Sequence, residues 1–178
     1  MILASGVGLS ADLKAVTLEE LLGHPRLNAK RFAAHFGHFA YEFNSPIQPA
    51  TEFLAREKGD CDDYAVLANH VLSQRGFHTR LIHVRLTGRV AHAVCYVTES
   101  KGYLDYNNRS VFFSLTRSGP DLREIASKVA QSLEASWTTA SEFTYSYATR
   151  RKTMIATVSQ TGTAEPSPSP PSSAFNVD

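Results

Sequence analysis

The sequence has 178 residues, 43% of them hydrophobic, and a formal net charge of +1, which fits one domain with a sizeable core. This balanced charge shows neither the basic footprint of a nucleic-acid-binding protein nor the acidic footprint of a protein with a basic partner. No apolar run approaches the ~18 residues of a membrane span, so we expect no membrane span and no nucleic-acid partner.

The first eleven residues are apolar and rich in small side chains, but they lack the basic start of a signal peptide. Two interpretations stay open: residues 1–11 are the remnant of a clipped signal peptide, or they are a frayed terminus. Localisation is therefore cytoplasmic or, on the first interpretation, periplasmic or secreted.

Two helices are predicted before the first chemically informative motif. Thr17 and Glu20 stand at the spacing of a capping box, which predicts a short helix to Leu22. Apolar residues at helical spacing predict a longer amphipathic helix over 27–41. Prolines indicate an extended loop over 43–49, and one or two helical turns follow.

A buried helix is predicted to begin at Cys61. Apolar residues recur at helical spacing over 61–72, and Gly76 has the position of a helix stop. Asp60 is a good N-cap, and Asp62 and Asp63 complement the positive end of the helix dipole. A thiol at this position meets free backbone N–H groups that favour the thiolate. The alternative is an ordinary buried cysteine, since free cysteines are commonly buried.

The acidic residues around Cys61 also allow a second interpretation, as ligands of a hard cation. Calcium sites draw six to eight oxygens, and the spacing of an EF-hand loop is absent here. Helix capping explains these residues more simply, so we predict no metal and no cofactor.

Three strands are predicted next, and two carry candidate catalytic groups. The first, 78–86, carries His83, which is expected on the solvent face. The strand over 89–97 contains His92, and the strand over 102–107 has Asp105 in its middle. A hairpin between these two strands would place His92 and Asp105 roughly opposite each other. A carboxylate inside an apolar strand is costly without a partner, and the imidazole N–H of His92 would be such a partner. The thiol, the imidazole and the carboxylate then have the roles of nucleophile, base and orienting group.

The remaining chain is predicted to complete the domain. Its elements are a strand over 110–115, a helix over 118–134, and strands over 143–149 and 154–158. The Pro- and Ser-rich residues 159–178 are predicted to be a disordered tail. The domain itself is therefore expected over 12–158.

The motifs at 59–65, 76–80, 92–94 and 103–105 together resemble the transglutaminase-like superfamily, and the bacterial transglutaminase-like cysteine proteinases most closely. The resemblance covers about residues 46–107. It implies an α+β, papain-like fold with N-terminal helices packed on an antiparallel sheet. It also implies a catalytic triad of Cys61, His92 and Asp105, which attacks an amide carbonyl through a thioester.

One position departs from this family, whose bacterial members often carry a tryptophan before the segment that matches 49–54. Here Ile47 and Gln48 stand at that place, and the single tryptophan is Trp137. Gln48 carries an N–H₂ group, so we predict it as the second oxyanion donor beside the backbone N–H of Cys61.

The predicted function is a cysteine hydrolase or acyltransferase that acts on a peptide or protein substrate, with hydrolysis favoured. The alternative is a catalytically idle domain that binds peptides in the same cleft. Cys61 and Cys95 are the only cysteines, and both are expected as thiols, because a bond between them would pull against the triad geometry. This fits a cytosolic protein without excluding an exported one, and the sequence does not predict the oligomeric state.

Overall fold

The computed structural model describes residues 15–44, 46–109 and 115–160. Within these ranges the helices are α1 (Leu18–Gly23), α2 (Ala29–Ala34), α3 (Ala50–Arg56), α4 (Cys61–Gln74) and α5 (Leu122–Ser132). The strands are β1 (Ala40–Tyr41), β2 (Lys58–Gly59), β3 (Thr79–Leu86), β4 (His92–Val97), β5 (Gly102–Leu104), β6 (Leu115–Arg117), β7 (Trp137–Ser146) and β8 (Arg151–Ser159). None of these helices has the length and apolar character needed to cross a bilayer.

Six strands form one antiparallel sheet in the order β6-β5-β4-β3-β7-β8, and β1 and β2 form a small parallel pair. Helix α4 packs against β4 and β3, and α5 packs against β7 and β3. Helix α4 belongs to one apolar cluster and α5 to another, and the two clusters lie on opposite faces of the central strands. The predicted α+β class, with helices on an antiparallel sheet, is confirmed.

The helix predicted over 27–41 is too long. α2 ends at Ala34, and the N–H groups of the next residues bond three positions back, as in His35 to Phe32 and Phe36 to Ala33. Gly37 lies in this stretch, and glycine disfavours a helix. The phenylalanines are buried as their spacing predicts, but tight turns present them to the core, and the chain then extends into β1.

Several strand boundaries also differ from the prediction. β4 begins at His92 and not at residue 89, and β5 ends at Leu104. β7 begins at Trp137, and β8 runs from Arg151 through Ser159, so this hairpin is longer than its alternating segments indicated. The predictions for residues 1–11 and 161–178, and most of the strand predicted over 110–115, lie outside the described residues.

Candidate active site

Cys61 is the first residue of α4, and the helix start is capped as predicted. Asp60 Oδ1 accepts the backbone N–H groups of Asp62 at 2.9 Å and Asp63 at 3.3 Å. In return, the Asp63 carboxylate accepts the backbone N–H of Asp60 at 3.1 Å, which completes a capping box. The cap uses the N–H groups of residues 62 and 63 and not that of Cys61, which lies in the first turn without an intrahelical partner.

A buried polar contact fixes this helix start from the other side. Asp63 accepts the Gln48 backbone N–H at 2.7 Å and the Gln48 side-chain amide at 2.7 Å. The same amide nitrogen of Gln48 donates to the carbonyl of Lys58 at 3.1 Å, and the amide oxygen of Gln48 accepts from Arg56 at 2.8 Å. Burial raises the pKa of Asp63, and the hydrogen bonds from Gln48 partly offset this effect.

Gln48 is therefore part of the support for α4. Both hydrogens of its amide are already bound, and Gln48 is not among the residues that line the cavity at Cys61. Its role as an oxyanion donor stays a prediction, and it would require the amide to leave these two acceptors.

Gly59 is needed for close packing beside the start of α4. A Cβ at this position would lie 2.5 Å from Asp63 Oδ2 and 2.6 Å from a ring carbon of Phe53. These distances are far shorter than van der Waals contact. The glycine in the Gly-Asp-Cys motif thus lets the backbone approach the capping carboxylate.

His92 and Asp105 are in direct contact. His92 Nε2 lies 2.8 Å from Asp105 Oδ1, and both side chains are buried. The same carboxylate oxygen accepts the backbone N–H of Asn107 at 2.8 Å and so caps a 3-10 turn over 106–108. Asp105 follows β5 and does not lie inside a strand, which corrects the prediction.

The register explains how this contact arises. Cys95 pairs with Leu104 across β4 and β5, so one more step along the register places Asp105 opposite Val94. His92 is then a diagonal neighbour of Asp105 and not its direct partner.

The His92 ring and Cys61 line the same cavity, and the thiol is close enough to influence the pKa of the ring. Since Nε2 contacts Asp105, Nδ1 is the ring nitrogen left for the thiol. Burial by itself lowers the pKa of His92, but the hydrogen bond to Asp105 and the proximity of Asp105 and Cys61 together raise it to about 10. The site therefore favours the imidazolium form at neutral pH.

Cys61 and His92 open onto a cavity of about 510 Å³, called the cleft below. One set of lining residues, Tyr41, Phe43 and Asn44, belongs to the segment that pairs beside Cys61. A second set, in the range 86–91, leads into His92. Its further lining residues are Asp60, Asp62, His83, Asn107 and Leu133.

His83 is the residue that the sequence interpretation missed. It was expected on the solvent face, yet it lies in the cleft wall with its ring 6.2 Å from that of Phe143. Burial, followed by the charge of Lys152, lowers its pKa to about 4, so the ring is neutral at neutral pH. Alternation along β3 could not reveal this, because helices cover both faces of the strand.

The carboxylates at the cleft, Asp60 and Asp62, already have polar partners within the protein. Asp60 also accepts the backbone N–H of Asn44 at 3.0 Å, and Asp62 lies 3.6 Å from Lys152 Nζ. Among the residues that the structure describes, no group of three or more His, Cys, Asp or Glu is arranged to hold a metal ion.

Comparison with known proteins supports the family resemblance. Residues 24–111 match the family model described as a transglutaminase-like domain, and this range contains Cys61, His92 and Asp105. Residues 24–111 are therefore assigned to the transglutaminase-like superfamily.

A solved structure that is similar to this chain is the calcium-bound LapG of Legionella pneumophila. The two share 18% sequence identity with a TM-score of 0.43, and the match covers 78% of this chain and 70% of that chain. No curated protein matches the sequence.

Proposed function

We propose that this protein is a cysteine hydrolase or acyltransferase that cleaves an amide or peptide bond through a thioester. Cys61 is the nucleophile, His92 the base and acid, and Asp105 the orienting group. The single observation that carries this proposal is the position of His92, which contacts Asp105 at 2.8 Å through one nitrogen and lines the same cavity as Cys61. This arrangement supports the roles of nucleophile, base and orienting group.

The first half of the reaction forms the thioester. His92 holds the proton of Cys61, and the sulfur attacks the carbonyl carbon of the substrate. The backbone N–H of Cys61 donates to the resulting oxyanion. When the C–N bond breaks, His92 gives its proton to the leaving amine, and the acyl group stays on sulfur.

The second half releases the acyl group. Water attacks the thioester carbonyl and gives a proton to His92, the C–S bond breaks, and a carboxylic acid leaves. An amine that attacks in place of water yields a new amide, which makes the reaction an acyl transfer. Asp105 keeps the imidazole oriented in both halves and stabilises its charged form.

The test is incubation with a peptide library, with and without an amine donor, and mass analysis of the products. We expect cleaved peptides from the wild type and none from Cys61→Ala. Because members of a triad act as a unit, His92→Ala should lose nearly as much activity. New amides formed only with the amine donor would identify an acyltransferase.

A second candidate function is a catalytically idle domain that binds peptides in the cleft. The observation that favours it is the fully bound amide of Gln48, which leaves the predicted second oxyanion donor occupied. Peptide binding that is equal in wild type and Cys61→Ala, with no product from either, would support this function instead.

A further inference from the structure

Bulky apolar side chains are exposed around the cleft. The large hydrophobic residues that the described part of the chain exposes are Tyr41 (59%), Phe43 (61%), Val90 (69%), Met154 (46%) and Ile155 (49%). The three most exposed of them, Tyr41, Phe43 and Val90, line the cleft with Cys61 and His92. We call these three residues the rim. An apolar patch gathered at a cleft is typical of a binding surface.

The first part of the rim is tied to the nucleophile. Tyr41 pairs with Gly59, and the next N–H, from Glu42, donates to the Gly59 carbonyl at 2.9 Å. The N–H of Asn44 then bonds Asp60, the N-cap of α4, at 3.0 Å. The backbone that carries Tyr41 and Phe43 is therefore fastened to the two residues directly before Cys61.

The second part of the rim is tied to the base. Val90 lies two residues before His92, in the turn that joins β3 to β4. A substrate whose carbonyl reaches Cys61 thus meets apolar rim residues from the segment beside the thiol and from the segment beside the imidazole.

Charge does not offer an equally specific means of recognition. The cleft is lined by Asp60, Asp62 and Arg89, and Lys152 stands 3.6 Å from Asp62. The charges of Asp60 and Asp62 are matched by those of Arg89 and Lys152, and the charge of His92 is already paired with Asp105. Asp60 also already accepts hydrogen bonds from the backbone N–H groups of Asn44 and Asp62. Apolar contact is the larger remaining source of binding free energy.

We infer that the substrate is an extended polypeptide segment with an aromatic or large aliphatic residue next to the scissile amide, which packs against Tyr41, Phe43 and Val90. This inference rests on the proposed function of Cys61 and His92 and specifies the substrate class. The cavity of about 510 Å³ lies within the size range of ligand sites. Such residues are accessible mainly in unfolded or flexible chain segments.

The first experiment identifies the cleavage sites in a library of peptides from denatured proteins, with an amine donor present and absent. We expect Phe, Tyr, Leu, Ile or Val to be enriched beside the reacting bond. The best peptide is then compared with a copy in which that residue is Ala. We expect kcat/KM to fall by about 10–100-fold, the usual effect of losing one large apolar contact.

The matched variants are Phe43→Ser at the rim and Ile155→Ser on β8, which is comparably exposed but does not line the cleft. Phe43→Ser should remove most of the preference for the apolar peptide, while Ile155→Ser retains it. Alkylation of Cys61 by iodoacetamide should be equal in both, which shows that the site itself is intact.

The failure of this inference is distinguishable from failure of the proposed function. Cleavage without apolar enrichment, or equal effects of the two variants, overturns the inference and leaves the proposed function standing. If no peptide reacts, the proposed function fails. The inference is then decided by binding to Cys61→Ala of a short unstructured peptide with one central Phe and of its copy with Ala at that position; equal affinities overturn it. Sedimentation of wild type and Phe43→Ser tests a second copy as the occupant, and a dimer lost in the variant also overturns the inference.

Discussion

Cys61 and His92 reach the cleft from two regions that are built differently. The start of α4 depends on a few buried polar contacts, chiefly those of Asp63 with Gln48 and Asp60. The His92 region depends on strand register, because β4 is buried along its length and pairs with β3 and β5.

This difference separates two kinds of sensitivity. A network of few hydrogen bonds loses much of its stability when one buried partner is removed. A central strand is stabilised by many backbone pairs, so the loss of one side-chain contact there has little effect on folding. The orientation and charge of the His92 imidazole, in contrast, depend on its contact with Asp105. We therefore expect substitutions near α4 to act mainly on stability, and substitutions near Asp105 to act mainly on activity.

The largest expected effect is that of Asp105→Ala on activity. We expect kcat/KM to fall by about 10²–10⁴-fold. Asp105 raises the pKa of His92, so its removal lowers that pKa, and the active imidazolium form is lost at a lower pH. The measurement is the pH profile of kcat/KM, in which the basic limb near pH 10 should move down. Asp105→Asn keeps a hydrogen-bond acceptor without the charge, so its basic limb should lie between those of the wild type and Asp105→Ala. A basic limb at the same pH in Asp105→Ala as in the wild type would contradict the prediction.

Gly59→Ala should have the next largest effect, on stability. Its Cβ would meet Asp63 Oδ2 at 2.5 Å and the buried Phe53 ring at 2.6 Å, so we expect a loss of about 3 kcal/mol in the free energy of unfolding. Urea denaturation measures the loss. The matched control is Gly23→Ala, where nothing lies within 4 Å of the added atom. Equal stabilities of the two variants would refute the packing argument.

Gln48→Leu should cost about 2 kcal/mol, since it removes a buried hydrogen bond to the Asp63 carboxylate. Gln74→Leu is the control, because its side-chain contact with His70 is exposed. Unfolding and kcat are measured together. A fall in kcat of about 10²–10³-fold with unchanged stability would instead identify Gln48 as an oxyanion donor.

The smallest effect is expected from shortening the chain. Truncation after Gln160 should leave the melting temperature unchanged within error. Truncation after Val158 also removes the bond from Gln160 N–H to the Thr138 carbonyl at 2.9 Å and the contact of Arg123 with Ser159, and should lower the melting temperature by about 2–4 °C. A melting temperature several degrees lower in the form that ends at Gln160 would show that residues beyond 160 contribute to stability.

The α4 region was the most predictable from sequence. The cap at Asp60, the apolar spacing after it and the stop at Gly76 are local signals that all indicate one helix, and α4 matches them. The contact between His92 and Asp105 was also expected from the cost of burying a carboxylate, although its diagonal geometry depends on where β5 ends.

The cleft walls could not be predicted in the same way. Tyr41 was assigned to a helix because phenylalanines recur before it, and only its pairing with Gly59 brings it beside Cys61. His83 was assigned to solvent because Ile82 and Val84 were taken to face the core alone. In the fold α5, about forty positions later in the chain, covers the face of Ile82 and Val84, and His83 lies with Leu81 on the face toward α4. Both errors concern long-range contacts, for which local spacing contains no information.

The second thiol has a consequence for oxidation. Cys95 is fully buried in β4, both cysteines are free, and burial raises the pKa of the Cys95 thiol well above its usual value. If an oxidant converts Cys61 to a sulfenic acid, Cys95 is therefore a poor partner for closing an internal disulfide, because its thiol is hard to deprotonate. We then expect recovery to depend on a small thiol that enters the cleft from solution, and we expect a second equivalent of oxidant to form the irreversible sulfinic acid where no such thiol is present.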